Sequence, residues 1–122
     1  MDMAKKKEAI IRVVIADPKK EARVATIHNE LEAFRQEVGG YIETVQTGLM
    51  DGNHEVIILC NDDAHIMNVP INARKFTSLL RGPLVVVASA PPNFVSLSEA
   101  SAEEFRQLMA LVPTPTTAPA GA

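Results

Sequence analysis

The stretch that decides the fold is VGGYIETVQTGLMDGNHEVIILC, residues 38–60, which has the pattern of a helix end, a strand, a turn and a second strand. Gly39 and Gly40 follow an apolar helical face, and glycine readily adopts the left-handed conformation that ends a helix. A phosphate-binding loop has the opposite order, with glycines after a strand and before a helix. Asp51 and Gly52 give the strongest hairpin signal. We therefore predict that this stretch is scaffold.

Strands are predicted on both sides of this stretch. Three runs are apolar at nearly every position, which is typical of strands whose two faces are both covered. Weaker alternation predicts strands at the edges of the sheet. The apolar runs are residues 9–15, 55–60 and 84–88, the edge strands are residues 21–27 and 41–47, and residues 77–81 form either a short strand or a turn.

A first helix is predicted before the double glycine. Leu31, Phe34 and Val38 fall on one helical face. Asn29 is the predicted N-cap and Glu32, three residues later, is its capping-box partner.

A second helix is predicted near the C-terminus. Its N-cap is either Ser98 or Ser101, and Ser101 and Glu104 have capping-box spacing. Its apolar face consists of Phe105, Leu108, Met109 and Val112.

The order of these elements predicts one α+β domain. Short connections favour a mixed, largely antiparallel sheet of about five strands with two helices, in the order ββα, ββ, an irregular segment that includes the short strand, β and α. One helix on each face is the simplest cover, although a partner or a second copy could cover one face instead. We predict a flexible N-terminus at residues 1–7, a domain at 8–112 and a disordered Pro/Thr/Ala-rich tail at 113–122.

Charge and composition argue against binding to nucleic acid or membranes. The net charge of -3 attracts neither nucleic acid nor an anionic surface. Four Phe, one Tyr and no Trp are too few rings for a base-stacking platform. The longest apolar runs are too short to span a bilayer. With one cysteine and no secretory signal, we expect a cytoplasmic protein.

No residue pattern predicts an enzyme, a cofactor or a metal site. No serine lies in a Gly-x-Ser-x-Gly elbow. His54 and Asp62 lie at opposite ends of a strand, roughly 20 Å apart. Asp62, Asp63 and His65 are more typical of a turn than of a metal site, and Cys60 is predicted to be a buried apolar residue.

The irregular segment at residues 68–81 is the predicted contact region. Long irregular segments in small domains often carry function, and its amide and basic side chains suit an anion or phosphate. In the plainer interpretation, the asparagines bond their own backbone and the basic groups are solvated. The candidate ligand- or partner-binding residues are Asn68, Asn72, Arg74, Lys75 and Arg81.

Residues 27–43, followed by the strand at 56–63, resemble a small domain-of-unknown-function family of bacteriophages and bacterial mobile elements. Its core motif is Val-Gly-Gly-Tyr-Ile-Glu, residues 38–43 here. The similarity extends over about residues 10–112 and includes the segment at 69–74.

In one position the chain departs from the family pattern, which has adjacent Asn and Arg. Here Ala73 separates Asn72 from Arg74, so the resemblance does not imply that these two form a fixed pair. The resemblance brings no known activity and implies a phage or mobile-element setting.

We therefore expect a non-enzymatic protein that binds and modulates or inhibits a host protein in the bacterial cytoplasm. Edge strands at residues 21–27 and 41–47 could recruit the partner by β-augmentation. The alternative is a sponge for a nucleotide-type signal that counteracts host defence. A homodimer through a bare strand edge or an uncovered sheet face is also open.

Overall fold

The computed structural model describes residues 8–64, 67, 69, 71–76 and 80–112. Within these residues, six strands form one sheet and two helices pack on it, which confirms the α+β class and the predicted element order. The predicted terminal segments and residues 77–79 lie outside this range. The elements are β1 (Ile10–Ala16), β2 (Arg23–His28), α1 (Leu31–Val38), β3 (Ile42–Asp51), β4 (His54–Asn61), β5 (Leu84–Ala90), β6 (Asn93–Val95) and α2 (Glu99–Leu108).

The strands are ordered β2-β1-β5-β4-β3, and β6 pairs with the C-terminal end of β5. Every pairing is antiparallel. The three apolar runs became the inner strands β1, β4 and β5, and the two weaker patterns became the outer strands β2 and β3, as predicted. The short strand β6, which follows Pro91 and Pro92, was not predicted.

Side chains of the inner strands alternate between two separate cores. Successive residues of a strand point to opposite faces of the sheet, so each inner strand contributes to both cores. The α1 side contains residues 11, 13 and 15 of β1, 57 and 59 of β4, and 85 and 87 of β5. The α2 side contains residues 14 and 16, 56, 58 and 60, and 84, 86 and 88 of the same strands.

The two faces are covered in different ways. On one face α1 inserts Phe34 and Val38, and the Phe34 ring meets Phe94 edge to face with centroids 5.2 Å apart. On the other face α2 packs against β1 and β2. The irregular segment extends this cover, because Phe76 and Leu80 also pack against the α2-side core.

The predicted N-cap of α1 is wrong. Glu30 occupies the cap position without a side-chain cap hydrogen bond. Asn29 is 3% exposed, and its amide donates to the carbonyls of Glu8 and Phe94 at 2.9 and 3.0 Å. These two hydrogen bonds of the side-chain NH2 hold Asn29 one residue before the observed cap position, Glu30. The helix ends at Gly39, with φ 85, as predicted.

The position of the hairpin turn was predicted correctly, but the first strand of the hairpin is longer than the predicted residues 41–47. The turn lies at Gly52, with φ 62, as the Asp51-Gly52 signal indicated. β3 extends to Asp51 because the backbone passes a register shift between Gln46 and Met50. Gly48, with φ 77, lies in this bulge, where a left-handed conformation favours glycine.

Of the two predicted caps for α2, Ser98 is the observed one. Its side chain accepts a hydrogen bond from the Ser101 backbone N–H at 3.1 Å. Phe105 and Met109 are buried as predicted, whereas Val112 is 41% exposed beyond the end of the helix. The predicted apolar face is therefore one residue too long.

Asp51 joins the tip of the hairpin to the start of α2. Its carboxylate accepts hydrogen bonds from the Ser98 N–H at 2.7 Å, the Ser98 hydroxyl at 2.9 Å and the Ser101 hydroxyl at 2.8 Å. Burial raises the pKa of Asp51, but these hydrogen bonds and nearby His54 outweigh it, so the pKa is lower than the ordinary value. The ionised carboxylate therefore stabilises the folded chain.

Replacing Asp51 with asparagine should lower the free energy of unfolding by about 1 to 2 kcal/mol at pH 7, because charge-assisted hydrogen bonds are lost. The folded-state pKa is the depressed one, so this contribution is present above the unfolded-state pKa and disappears as the pH falls through the folded-state pKa. Urea unfolding from pH 7 to pH 2 should show the gap to the D51N variant closing. Asp62→Asn, in an exposed turn, is the control. A gap that does not change with pH would contradict this account.

Candidate functional site

Two of the predicted site residues lie inside the protein. Asn72 is 1% exposed and Arg74 is 0% exposed. The Arg74 Nε donates a hydrogen bond to the Asn72 Oδ1 at 2.8 Å. The intervening Ala73 does not keep them apart, so the two side chains form a pair that the resemblance alone did not imply.

The pair connects three distant parts of the chain through main-chain carbonyls. Besides its bond to Asn72, the Arg74 guanidinium donates to carbonyls after β1 and after α2, while the Asn72 amide bridges the end of β1 and the residue before Pro83. The acceptors of Arg74 are Asp17, Lys20 and Met109, and those of Asn72 are Ala16 at 2.7 Å and Gly82 at 2.8 Å.

Burial lowers the pKa of Arg74, and the nearby charges of Glu21 and Asp17 oppose this effect. An arginine side chain nevertheless keeps its proton in proteins. Its charge is satisfied here by carbonyl dipoles, with Asp17 and Glu21 as the acidic residues that favour the charged form. The arrangement is that of a structural connection within the fold.

Main-chain hydrogen bonds attach the same segment to its surroundings. The Asn72 N–H donates to Leu80 O at 2.8 Å, and the Lys75 N–H donates to Ala110 O at 2.9 Å. In return, the Val112 N–H donates to Ala73 O at 3.1 Å. The segment therefore pairs with the chain that leaves α2.

The other predicted site residues lie elsewhere. Lys75 is exposed, and Arg81 is half-buried with its Nη1 donating to Val69 O at 2.8 Å. Asn68 is outside the described residues. The structure thus brings Asn72 and Arg74 together but leaves Lys75 and Arg81 as the basic side chains of the described segment with access to solvent. Ligand or partner binding by this set stays a prediction.

Changing Arg74 to lysine should destabilise the fold by about 2 to 4 kcal/mol, because several buried carbonyls lose their donor. Lysine carries a charge but lacks the planar set of five donors. Lys75→Met, at the next residue and on an exposed side chain, should change the free energy of unfolding by less than about 0.5 kcal/mol. Urea unfolding measures both.

The pairing of Asn72 with Arg74 is tested by a double-mutant cycle. The losses caused by Asn72→Ala and Arg74→Lys should not add, with a coupling of about 0.5 to 3 kcal/mol between these touching residues. Strict additivity would show that the two side chains act independently.

The second candidate surface is the outer edge of β3. Among the described residues, only β4 pairs with this strand. The Asp62 N–H donates to Tyr41 O at 2.8 Å and the Cys60 thiol lies 3.6 Å from Glu43 O, so the carbonyls of Tyr41 and Glu43 point towards β4. Backbone polar groups alternate in direction along a strand.

It follows that the N–H and C=O groups of Ile42, Thr44 and Gln46 point away from β4. We call these outward groups the β3 edge. The opposite border of the sheet has the same arrangement. There the Asn29 N–H donates to Ala9 O, and by the same alternation the N–H and C=O groups of Thr26 point away from β1.

Exposed apolar and aromatic surface adjoins the β3 edge. Tyr41 is 64% exposed at its start and Met50 is 58% exposed beyond the bulge. The Arg35 guanidinium lies over the Tyr41 ring, 4.7 Å from its centroid. Beside them is an open groove of about 350 Å³, lined by Glu32, Arg35, Gln36, Gly39, Gly40 and Tyr41.

Cys60 is buried next to this edge, as predicted. Burial raises the pKa of its thiol to about 11, with further contributions from the negative charges of Glu43 and Asp62. The thiol is therefore protonated at neutral pH, which disfavours nucleophilic chemistry.

Within the residues that the structure describes, no three His, Cys, Asp or Glu side chains are grouped so that they could hold a metal ion. His65, one member of the weak metal candidate, falls outside them. None of the helices described is both long and apolar enough to cross a membrane.

Comparison with known protein families identifies the family of this domain. The model of the family described as Domain of unknown function (DUF3846) matches residues 11–110. The chain belongs to this family. The predicted membership of a domain-of-unknown-function family is thereby confirmed for nearly the whole fold. No curated protein matches the chain, and no solved structure does either.

Proposed function

We propose that this DUF3846 protein is a non-enzymatic binding protein that receives a strand of another protein on the β3 edge. The observation that carries the proposal is the outward direction of the backbone groups of Ile42, Thr44 and Gln46 at the border of the sheet. In strand addition, main-chain hydrogen bonds supply affinity and alternate side chains supply specificity.

The bulge in β3 limits the docking site to the first half of the strand. The register shift after Gln46 bends the strand, and bulges are one way in which proteins restrict uncontrolled pairing of edge strands. The regular stretch before the shift, residues 42–46, still offers three outward residues. Tyr41 and the adjoining groove add side-chain surface at its start.

The β3 edge is a better candidate than the opposite border. The regular part of β3, residues 42–46, is no longer than β2, which has 6 residues, but the exposed Tyr41 ring and the adjoining groove lie at its start. Arg23, at the start of β2, is also held by an ion pair with Asp17 at 3.5 Å. A partner can therefore make additional side-chain contacts around Tyr41 at the β3 edge.

The resemblance to a phage and mobile-element family suggests the biological setting. In that setting the partner is a protein of the bacterial host, bound in the cytoplasm and modulated or inhibited by occupation of its own strand. This role needs no catalytic group and no cofactor.

Thr44→Pro should weaken partner binding at least about tenfold, because proline removes the outward N–H and places its ring at the edge. Thr26→Pro makes the same change on the outward side of β2 and is the matched control. The measurement is co-purification of a stoichiometric partner with each tagged full-length variant expressed in the bacterial host. Circular dichroism and thermal unfolding should show that both variants remain folded.

Gln46→Pro provides a second outward substitution in case Thr44→Pro unfolds. Equal recovery of the partner by the original protein, T44P, Q46P and T26P would rule out binding at this edge. A rise in melting temperature with nucleotides, together with loss of that rise in Lys75→Ala and Arg81→Ala, would favour the nucleotide-type sponge.

A further inference from the structure

The charge of this chain is unevenly distributed. Residues 41–63, which comprise the β3–β4 hairpin and its ends, contain five acidic residues and neither Lys nor Arg. All 12 Lys and Arg residues of the chain therefore lie elsewhere, together with ten acidic ones. The hairpin is a negative region in a chain whose remainder is slightly positive.

No ion pair neutralises this negative charge within the described structure, although Arg81 lines the same small pocket as Glu43 and Asp62. The three ion pairs of the described residues, Arg12–Glu99, Arg23–Asp17 and Arg106–Glu103, all lie outside the hairpin. Asp51 is engaged by the serines of α2. Glu43 and Asp62 are exposed, and both act on the nearby Cys60 thiol through their charge.

Glu43 lies between two of the outward residues. It pairs with Cys60 of β4, whose side chain belongs to the α2-side core, so the Glu43 side chain is on that face of the sheet. In a strand added beside β3, the residue opposite Glu43 would direct its side chain to the same face, at a distance of about 5 Å.

Resting on the proposed function, we infer that the strand received by the β3 edge is basic, with Lys or Arg opposite Glu43 and near Asp62. The site is the outward backbone of β3, which has no pairing strand among the described residues, and the charge around it selects the occupant. Opposite charges across a strand pair stabilise it and like charges destabilise it.

The same charges disfavour other occupants. Two copies joined through their β3 edges would bring two acidic hairpins together, and like charges repel at close range. A nucleic acid would place phosphates beside Glu43 and Asp62. A basic segment of a protein partner avoids both conflicts.

The test is a selection of random eight-residue peptides on the full-length protein, with removal of all peptides that also bind T44P. We expect the remaining peptides to carry Lys or Arg at alternate positions at least about threefold above the library frequency. Their affinity should decrease on raising the salt from about 50 to 500 mM, because exposed charges are screened. Glu43→Lys should replace the basic preference by an acidic one.

Glu43→Gln, which should reduce the preference without reversing it, serves if E43K does not fold. Peptides that are lost on T44P but are neutral or acidic would overturn the charge inference and leave strand addition intact. Failure to obtain any peptide that distinguishes the original protein from T44P would overturn both. A dimer that T44P abolishes, seen by sedimentation at about 100 μM, would identify a second copy as the occupant and contradict the inference.

Discussion

Three adjacent strands of this sheet are apolar on both faces, and the rest of the structure depends on covering them. β1, β5 and β4 lie side by side, and their residues alternate between two cores. Removing apolar surface from water contributes about 25 cal/mol per Å², so neither face can be left open in a stable monomer. One eight-residue helix covers the first face. The second face needs α2 together with the irregular segment.

The need to cover the second face explains the buried Asn72–Arg74 pair. A segment without regular hydrogen bonding must satisfy its own backbone and that of its neighbours when it is packed against a core. Arg74 and Asn72 supply several donors at one place and bind carbonyls that follow β1, precede β5 and follow α2. Phe76 and Leu80 are thereby held against the core. Polar residues in this segment thus serve packing.

The inner strands and the first helix end could be predicted because their signals are local. Runs of β-branched residues and the double glycine require no knowledge of distant contacts. Asn29 was assigned to the wrong role because its acceptors, Glu8 and Phe94, are remote in sequence.

Burial of Arg74 could not be foreseen from the sequence for the same reason, since one of its acceptors is 57 residues away. Which backbone groups of β3 point outwards depends on its hydrogen-bonding register with β4, and no local sequence pattern encodes this register. The absence of Lys and Arg from residues 41–63 was visible in the sequence and is the signal that could have drawn attention to this hairpin.

The outer strand β3 differs from its neighbours because it is half-exposed, polar at alternate positions and paired on one side among the described residues. The central claim is that the outer edge of β3 is free to accept another strand in solution. Amide hydrogen exchange, measured by NMR on the isolated protein, tests it residue by residue. We predict that the amides of Ile42, Thr44 and Gln46 exchange at least about 100-fold faster than those of Glu43 and Val45, which are bonded to β4. Equally slow exchange of all five amides would contradict the account, because it would mean that the edge is already occupied.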